Sequence, residues 1–445
     1  MLDDKDKTNL VLRTYGFEEF DIPSVKETKT SIEDKIKELE EDIKNKKEKL
    51  KKLNTKWSLN LSTIREQLVI EKERIDALGK MAGTKKTFIM HGWVPKKDAK
   101  KITESIQKSS HNCCHIKIEE PTEDDDVPVL LKNKWIAKPF EMMTEMYSLP
   151  KYNEIDPTTL ITPLLILYAG LMLTDFVYGL LLFIGGAFLL VKLGKHNASM
   201  KEVGTIVSAV GLSTMFFGVL TGSYLGDLPK YIWGLEPANL APWVDPLTNP
   251  LVILKVSLFV GIAHLNLGLI LGAINNWKQG KKLEMLHGQI IWFSLQAAAF
   301  ILLGPMLGIE LAGGLKYVAY VLAGLSLVIL IRFKGVIGLF DVTGFFGDVM
   351  SFTRLLALCL ATGGIAMTMN LLAGMVSGVP FLGILLAIII FSVGHAFSFA
   401  MNALGAFVHG LRLQYVEFFS KFYSGGGRKY SPFSVSRDYT TIEEK

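Results

Sequence analysis

Between about residues 158 and 420 the chain consists of long apolar runs of Leu, Gly, Ala, Phe, Ile and Val, broken only by short polar stretches. Hydrocarbon offers no hydrogen-bond partner to a peptide group, so each run must satisfy its own backbone as a helix. About 20 helical residues cross a hydrocarbon layer of ~30 Å. The pattern predicts eight spans, at 159–173, 176–193, 203–221, 250–276, 286–308, 313–332, 342–376 and 381–420. The last two are too long for a perpendicular crossing, since 35 to 40 residues cover ~50–60 Å, and must tilt or project from the membrane.

Charge placement tests that count. With the N-terminus inside, the inner loops hold Lys192, Lys195, Lys201, Lys278, Lys281, Lys282, Arg332 and Lys334, and the tail adds Lys421, Arg428, Lys429 and Arg437. The outer loops hold only Lys230 and Lys316. That asymmetry follows the positive-inside rule and predicts a multi-pass cell-membrane protein with both termini cytoplasmic. The opening MLDDKDKTNL is polar and acidic, not a signal peptide. The net charge of +5 is interleaved or loop-bound and does not point to nucleic acid.

Residues 1–157 are instead rich in Lys, Glu and Asp. From Ile32 to Leu78 apolar residues recur in steps of four and three, through Leu39, Ile43, Leu50, Trp57 and Leu68, with Lys46 and Glu71 interrupting the seam. This predicts a coiled-coil helix ~70 Å long over 32–78, whose stripe needs a partner that the chain itself does not offer. A small α+β lobe is expected over about 84–120, with a strand in TKKTFIMHGWVP, a helix after it and a second strand in HIKIEEP. The Pro-punctuated stretch 121–157 reads as a linker, and 423–445 as a cytoplasmic tail in which GGGRKY is a helix stop. The fold class expected is therefore mainly α: a cytoplasmic coiled coil with a small α+β lobe, followed by an eight-helix membrane domain at 158–422.

Cys113 and Cys114 lie beside His111 and His115. Adjacent thiolates do not match the spacing of structural zinc sites, so no metal is expected. No phosphate loop, HExxH, GxSxG or CxxC motif occurs, and no cofactor or catalytic centre is expected.

Chemistry concentrates in the last two spans. Arg354 is the only Lys or Arg from Gly335 to Leu411. Placing a guanidinium in hydrocarbon costs roughly 2.5–3.5 kcal/mol even on lenient scales, and it keeps its charge there. A buried ion pair or a snorkel to the interface would also house it. Asp341 and Asp348, however, lie roughly 120–140° away around the helix and near its start. Thr343, Gly347, Ser351, Ala361 and Ile365 fall within roughly 60° of Arg354, with Ala357 and Thr368 on the same face. Such a small-residue face suits close approach by another helix, although Leu358 and Met350 are bulkier exceptions. In the eighth span Arg412, Gly405, Ser398, His409, Asn402 and His395 share one sector over ~25 Å, as expected of a watery path or a partner-helix contact. Asp175 sits at a two-helix turn. His264, Asn266, Gln289 and Gln296 read as interhelical hydrogen-bond partners.

The motifs GLMLTDFVYG, GVLTGSYLG, DVMSFTRLLALCLA and AFVHGLRLQYVEFFSKFYSGGGRKYSPF resemble, in order, the membrane stator subunit of V/A-type rotary ATPases, called subunit I in archaeal-type synthases. RTYGFEEFDIP and FIMHGWVPKKDAKKI resemble that family's lobes flanking a coiled-coil arm. The resemblance implies a non-catalytic subunit that forms ion half-channels against a proteolipid ring. Its other implied partners are peripheral stalk subunits, a central-stalk base subunit and membrane lipid. Arg354 matches the family's essential ring-facing arginine, Arg412 the supporting arginine of the last helix, and Glu417 lies in the same motif. His395, Ser398, Asn402, His409, Ser351, Thr362 and Asp175 are candidates to line the half-channels. Eukaryotic members carry a glutamate where Asn402 stands and a histidine where Thr362 stands, so those polar groups do not transfer. Members also carry a longer N-terminal part holding the other coil strand. Two other classes fit parts of the pattern: a self-contained ion transporter or channel, and a membrane-anchored scaffold.

Overall fold

The computed structural model describes residues 29–84, 86–122, 125–195, 197–307, 314–435, 437 and 439–440. RTYGFEEFDIP, both extreme termini and part of the acidic stretch 122–126 lie outside the described residues. The chain forms two compact units, residues 1–96 with 432–445, and residues 97–431.

The first unit is dominated by helix α1, Lys29–Gly79, of 51 residues. Acid–base pairs such as Lys46–Asp42, at 2.7 Å, run along its flank. The heptad seam is laid open: Leu39, Leu50, Trp57, Ile64 and Leu68 are all exposed. Tyr439 N donates to Glu66 of this helix at 2.6 Å, and the Thr440 hydroxyl bonds the same carboxylate. A hairpin follows, with β1, Ala82–Gly83, antiparallel to β2, Phe88–Ile89, in the register Ala82↔Ile89.

The second unit starts with α2, Ala99–Ser109. The expected strand at HIKIEEP does not form; its alternation is present but it joins no ladder among the described residues. The Cys114 sulfur accepts a hydrogen bond from Ser110, and no cluster among the described residues is arranged to hold a metal. Beyond residue 126 the chain is not a free linker. A 3₁₀ turn at Lys138–Phe140 and α3, Glu141–Tyr147, bury Phe140 and Met143 in one core with Phe418, Phe419, Phe422 and Tyr423. Composition separates charged from apolar sequence at 157/158, yet Phe140 and Met143, on the charged side of that line, pack into the core of the membrane helices.

The membrane helices follow as α4 (Thr158–Leu173), α5 (Phe176–Phe188), α6 (Ala198–Thr221), a short α7 (Leu228–Trp233), α8 (Pro250–Lys278), α9 (Ile291–Leu303), α10 (Leu315–Lys334), α11 (Gly338–Ser351), α12 (Thr353–Ser377) and α13 (Gly383–Arg412). α11 and α12 together form one 40-residue apolar span, and α13 extends through wide turns to Lys421. Among the described residues seven such spans are long and apolar enough to cross a membrane, and α4 is a shorter apolar helix.

α5 and α6 approach so closely that a Cβ on Gly179 would lie 2.5 Å from the Met215 nitrogen, and one on Gly186 2.5 Å from the Ser208 nitrogen. Glycine is therefore the residue that permits this backbone-to-backbone seam. α9 and α10 are thinly buried. Asn266–Gln296 at 2.8 Å ties α9 to α8, and Asn276–Gln289 at 3.0 Å joins α8 to the turn before α9; Ser294–Ser326 at 2.9 Å ties α10 to α9. After Lys421 the chain does more than stop. Gly425 and Gly426 take positive φ, and the strand-like tail bonds back to 129 and 148–154, with Glu154 accepting from Ser424 N and Gly425 N.

Candidate functional site

Arg354 sits just past a break in the long span. At Phe352 the helix tightens, with Phe352 N bonding Val349 O at 3.2 Å and Leu355 N bonding Phe352 O at 3.0 Å. Nearby side chains reach the carbonyls just before the break: Thr353 Oγ1 donates to Met350 O at 2.8 Å and Arg354 Nε to Ser351 O at 3.0 Å. The Phe352 ring, fully buried, fills the space left by Gly261 of α8, where a Cβ would come within 2.5 Å of the ring. The arginine head is thereby fixed at its root.

Its partner comes from the other long helix. Arg354 Nη2 donates to Glu417 Oε1 at 2.5 Å, with the arginine side chain 18% and the glutamate 1% exposed. Glu417 is turned inward by wide i→i+5 turns over Leu413–Phe418, a distortion often found at functional positions. Asp348 is paired too, but with Lys421 at 2.5 Å. The charge order is thus acid–base along 348 and 354, facing base–acid along 421 and 417. Sliding the two helices by about one turn would bring Asp348 toward Glu417 and Arg354 toward Arg412, so like charges disfavour the slip.

This seam leaves several polar groups unused. Arg354 Nη1, Glu417 Oε2, both amide atoms of Gln414, His264 Nε2 and His409 Nδ1 are buried without a well-formed hydrogen bond among the described residues, with Gln414 lying against His264. His264 Nδ1 meets Tyr168 OH at 2.7 Å, and its ring lies 4.2 Å from that of Phe418. Arg412 is exposed and makes no ion pair among the described residues. The small-residue face is open as the wheel predicts: Thr343, Gly347, Ala357, Ala361 and Thr368 are exposed. Ser351 is half-buried, its hydroxyl on Gly347 O at 3.0 Å. Arg354 lies beside this face with its head turned inward to Glu417.

Further along α12 from Arg354, at the level of Cys359 to Asn370, the remaining candidates are engaged by protein. Asp175, completely buried, caps α5 by accepting from Val177 N and Tyr178 N at 3.0 and 3.1 Å. Its other oxygen accepts from the Ser223 hydroxyl and Gly226 N, both at 2.9 Å. It is the staple that shapes the 223–226 loop, not an exposed turn carboxylate. The sector expected on α13 divides. His395 meets Tyr178 OH at 2.8 Å and Asn370 Oδ1 at 2.9 Å, and Asn370 Nδ2 donates to Leu225 O and Asp227 Oδ1 at 2.8 and 2.9 Å. Asn402 Nδ2 donates to Ser398 Oγ at 3.0 Å, both buried, and Thr362 Oγ1 bonds Met172 O at 3.2 Å. Tyr178, Asn370 and Asp227 complete a network that charge and histidine content alone did not reveal. Their signal is a polar residue inside each of two apolar runs at matching depth.

These features define a polytopic membrane protein organised around one half-buried guanidinium beside an open small-residue face. Residues 5–222 and 342–435 match the V-type ATPase 116kDa subunit family, and the chain belongs to that family. It is 42% identical to the A-type ATP synthase subunit I of Methanocaldococcus jannaschii over 97% of this chain and 67% of that protein. It is 39% identical to the subunit I of Methanothermobacter thermautotrophicus, over 97% of this chain and 65% of that protein. For the Pyrococcus abyssi subunit I the identity is 38%, over 99% of this chain and 68% of that protein. The chain thus spans about two thirds of the length of these relatives.

Proposed function

We propose that the chain is the membrane stator of a rotary A-type ATP synthase, a non-catalytic subunit that couples proton or sodium movement to ATP synthesis or hydrolysis. The observation that carries this reading is Arg354, a half-buried cation beside an exposed stripe where a Cβ on Gly344 or Gly347 would meet nothing within 4 Å. That surface admits close approach by a helix of a proteolipid ring. A ring carboxylate must be neutral to cross lipid. Facing Arg354 it is favoured as the anion and gives up its ion. The fixed positive charge also bars direct leakage between the two access paths.

The basic end of the bundle, with Lys192, Lys278, Arg332 and Lys421, faces the cytoplasm by the positive-inside rule. On that side His409, Gln414 and Arg412 border the access path, joined by Ser351 and Glu417. On the other side His395, Ser398, Asn402, Thr362 and Asp175 hold its wall. Each ion crossing about 100 mV supplies ~2.3 kcal/mol to the ring. The α1 arm transmits the counter-torque to peripheral stalk subunits, its open seam completed by a second helix, and the central-stalk base subunit sits on the cytoplasmic face of the ring.

Arg354→Lys in the assembled complex tests the reading. Lysine is a compact point charge that cannot reproduce the guanidinium fork, so ATP-driven ion uptake by vesicles should be abolished with assembly intact. Retained uptake would remove Arg354 from the ion path.

A further inference from the structure

Buried polar groups without a partner are rare, and each needs a reason. The Arg354–Glu417 pair has one on each side. Arginine and carboxylate can form two parallel hydrogen bonds. Here only Nη2 and Oε1 are joined, while Nη1 and Oε2 stay buried and unused. Three residues before Glu417, Gln414 is completely buried, its amide lying against His264 without a well-formed hydrogen bond. The ion pair is thus held through one of its two possible hydrogen bonds.

We propose that Glu417 is the resting partner of Arg354, and that the guanidinium passes from Glu417 to a ring carboxylate and back with each step of rotation. The proposal rests on the reading of Arg354 given above and assigns the role of Glu417 within it. A guanidinium alone in a low-dielectric gap would bind each arriving carboxylate in a deep Coulomb well and stall the ring. A resident anion turns capture into exchange, because the arginine is paired before the carboxylate arrives and after it leaves. It also keeps the gap from carrying an uncompensated charge, which is costly.

The surroundings suit such an exchange. The tightened turn at Phe352 and the wide turns at Leu413–Phe418 interrupt regular helix at the roots of both side chains. Gln414, on the same wide turns, lies against His264 with an amide that makes no well-formed hydrogen bond. The Asp348–Lys421 pair, one to two turns along the same seam, holds the helices together meanwhile. Glu417 is therefore a positioning residue: it sets how readily Arg354 is released.

The test uses the assembled complex in sealed vesicles with Glu417→Gln and Glu417→Asp, measuring ATP hydrolysis and ion uptake per assembled complex together with passive leak. Glu417→Gln should lower hydrolysis and uptake in parallel by about tenfold, equivalent to about 1.4 kcal/mol of barrier, with ions moved per ATP unchanged. Glu417→Asp keeps the charge one methylene short and should fall between the two. A purely structural glutamate would lower the yield of complex and leave turnover per complex at the native value, and that result overturns the proposal. If the glutamine variant does not assemble, native turnover in the aspartate variant overturns it equally. Inactive Arg354→Lys with native-rate Glu417→Gln would remove this inference alone, whereas active Arg354→Lys would remove the reading beneath it.

Discussion

Two polar regions of the membrane domain, a few turns apart along α12, treat buried polarity in opposite ways. Around Asp175, both carboxylate oxygens and the His395–Asn370–Asp227 chain are engaged by protein. Around Arg354, donors and acceptors are left over on the arginine, Glu417, Gln414, His264 and His409. A saturated network has one good arrangement and acts as framework; an unsaturated one can change partners without losing much. The contrast therefore separates residues that hold the bundle from residues free to exchange partners, among side chains that look alike in sequence.

The contrast predicts different failures. Substitution at Glu417 should appear in turnover. Substitution at Asp175 should appear in folding. Asp175→Ala orphans four donors in a buried turn, each worth about 1–3 kcal/mol when left unpaired, so a loss of at least about 3 kcal/mol is expected. Thermal unfolding in detergent should show it as a lowered midpoint with little inserted protein recovered. Native stability in that variant would mean water already competes for the site, and the two regions would no longer differ.

How far the sequence could reach follows the same division. Spans, their order and the two membrane arginines were legible, because hydropathy and an isolated charge are local properties. The Arg354–Glu417 pair was not: the residues are 63 apart, and only the antiparallel register of two long helices joins them. The charges at 348, 354, 417 and 421 held a usable clue, since acid–base facing base–acid fits one register. HIKIEEP shows the reverse error, where alternation suggested a strand but no edge was available to pair with it. Within 121–157 the docking of Phe140 and Met143 was not legible, because prolines mask how few apolar residues suffice to pack such a stretch.

A smaller effect is expected where the saturated chain is cut in the middle. Asn370→Leu removes the acceptor of the His395 bond and the donor to Leu225 O and Asp227. About 2 kcal/mol should be lost, as the Leu225 carbonyl and a histidine nitrogen are orphaned while the side chain keeps its volume. Hydrogen exchange should rise at residues 223–227 before the bundle unfolds. Unchanged protection there would show that Asp175 alone holds the loop, which would confine the framework to a single carboxylate.

The smallest effect lies outside the membrane, at the clasp that fixes the end of the last helix. Tyr423 OH donates to Ser148 O at 2.5 Å, and its ring lies 4.8 Å from Phe419. Burial raises the phenol above its ordinary pKa of 10.0, and the charges of Glu154 and Asp156 push the same way. The unfolded chain therefore releases this proton first as pH rises. The associated stability is fully present below about pH 10 and drains away above it. Tyr423→Phe should cost about 1 kcal/mol at neutral pH through the lost hydrogen bond, and should flatten the alkaline decline. Unfolding midpoints across about pH 8 to 11 would show the two curves converging at the alkaline end. A decline of equal size in both proteins would assign the alkaline sensitivity to another group and leave Tyr423 a packing residue.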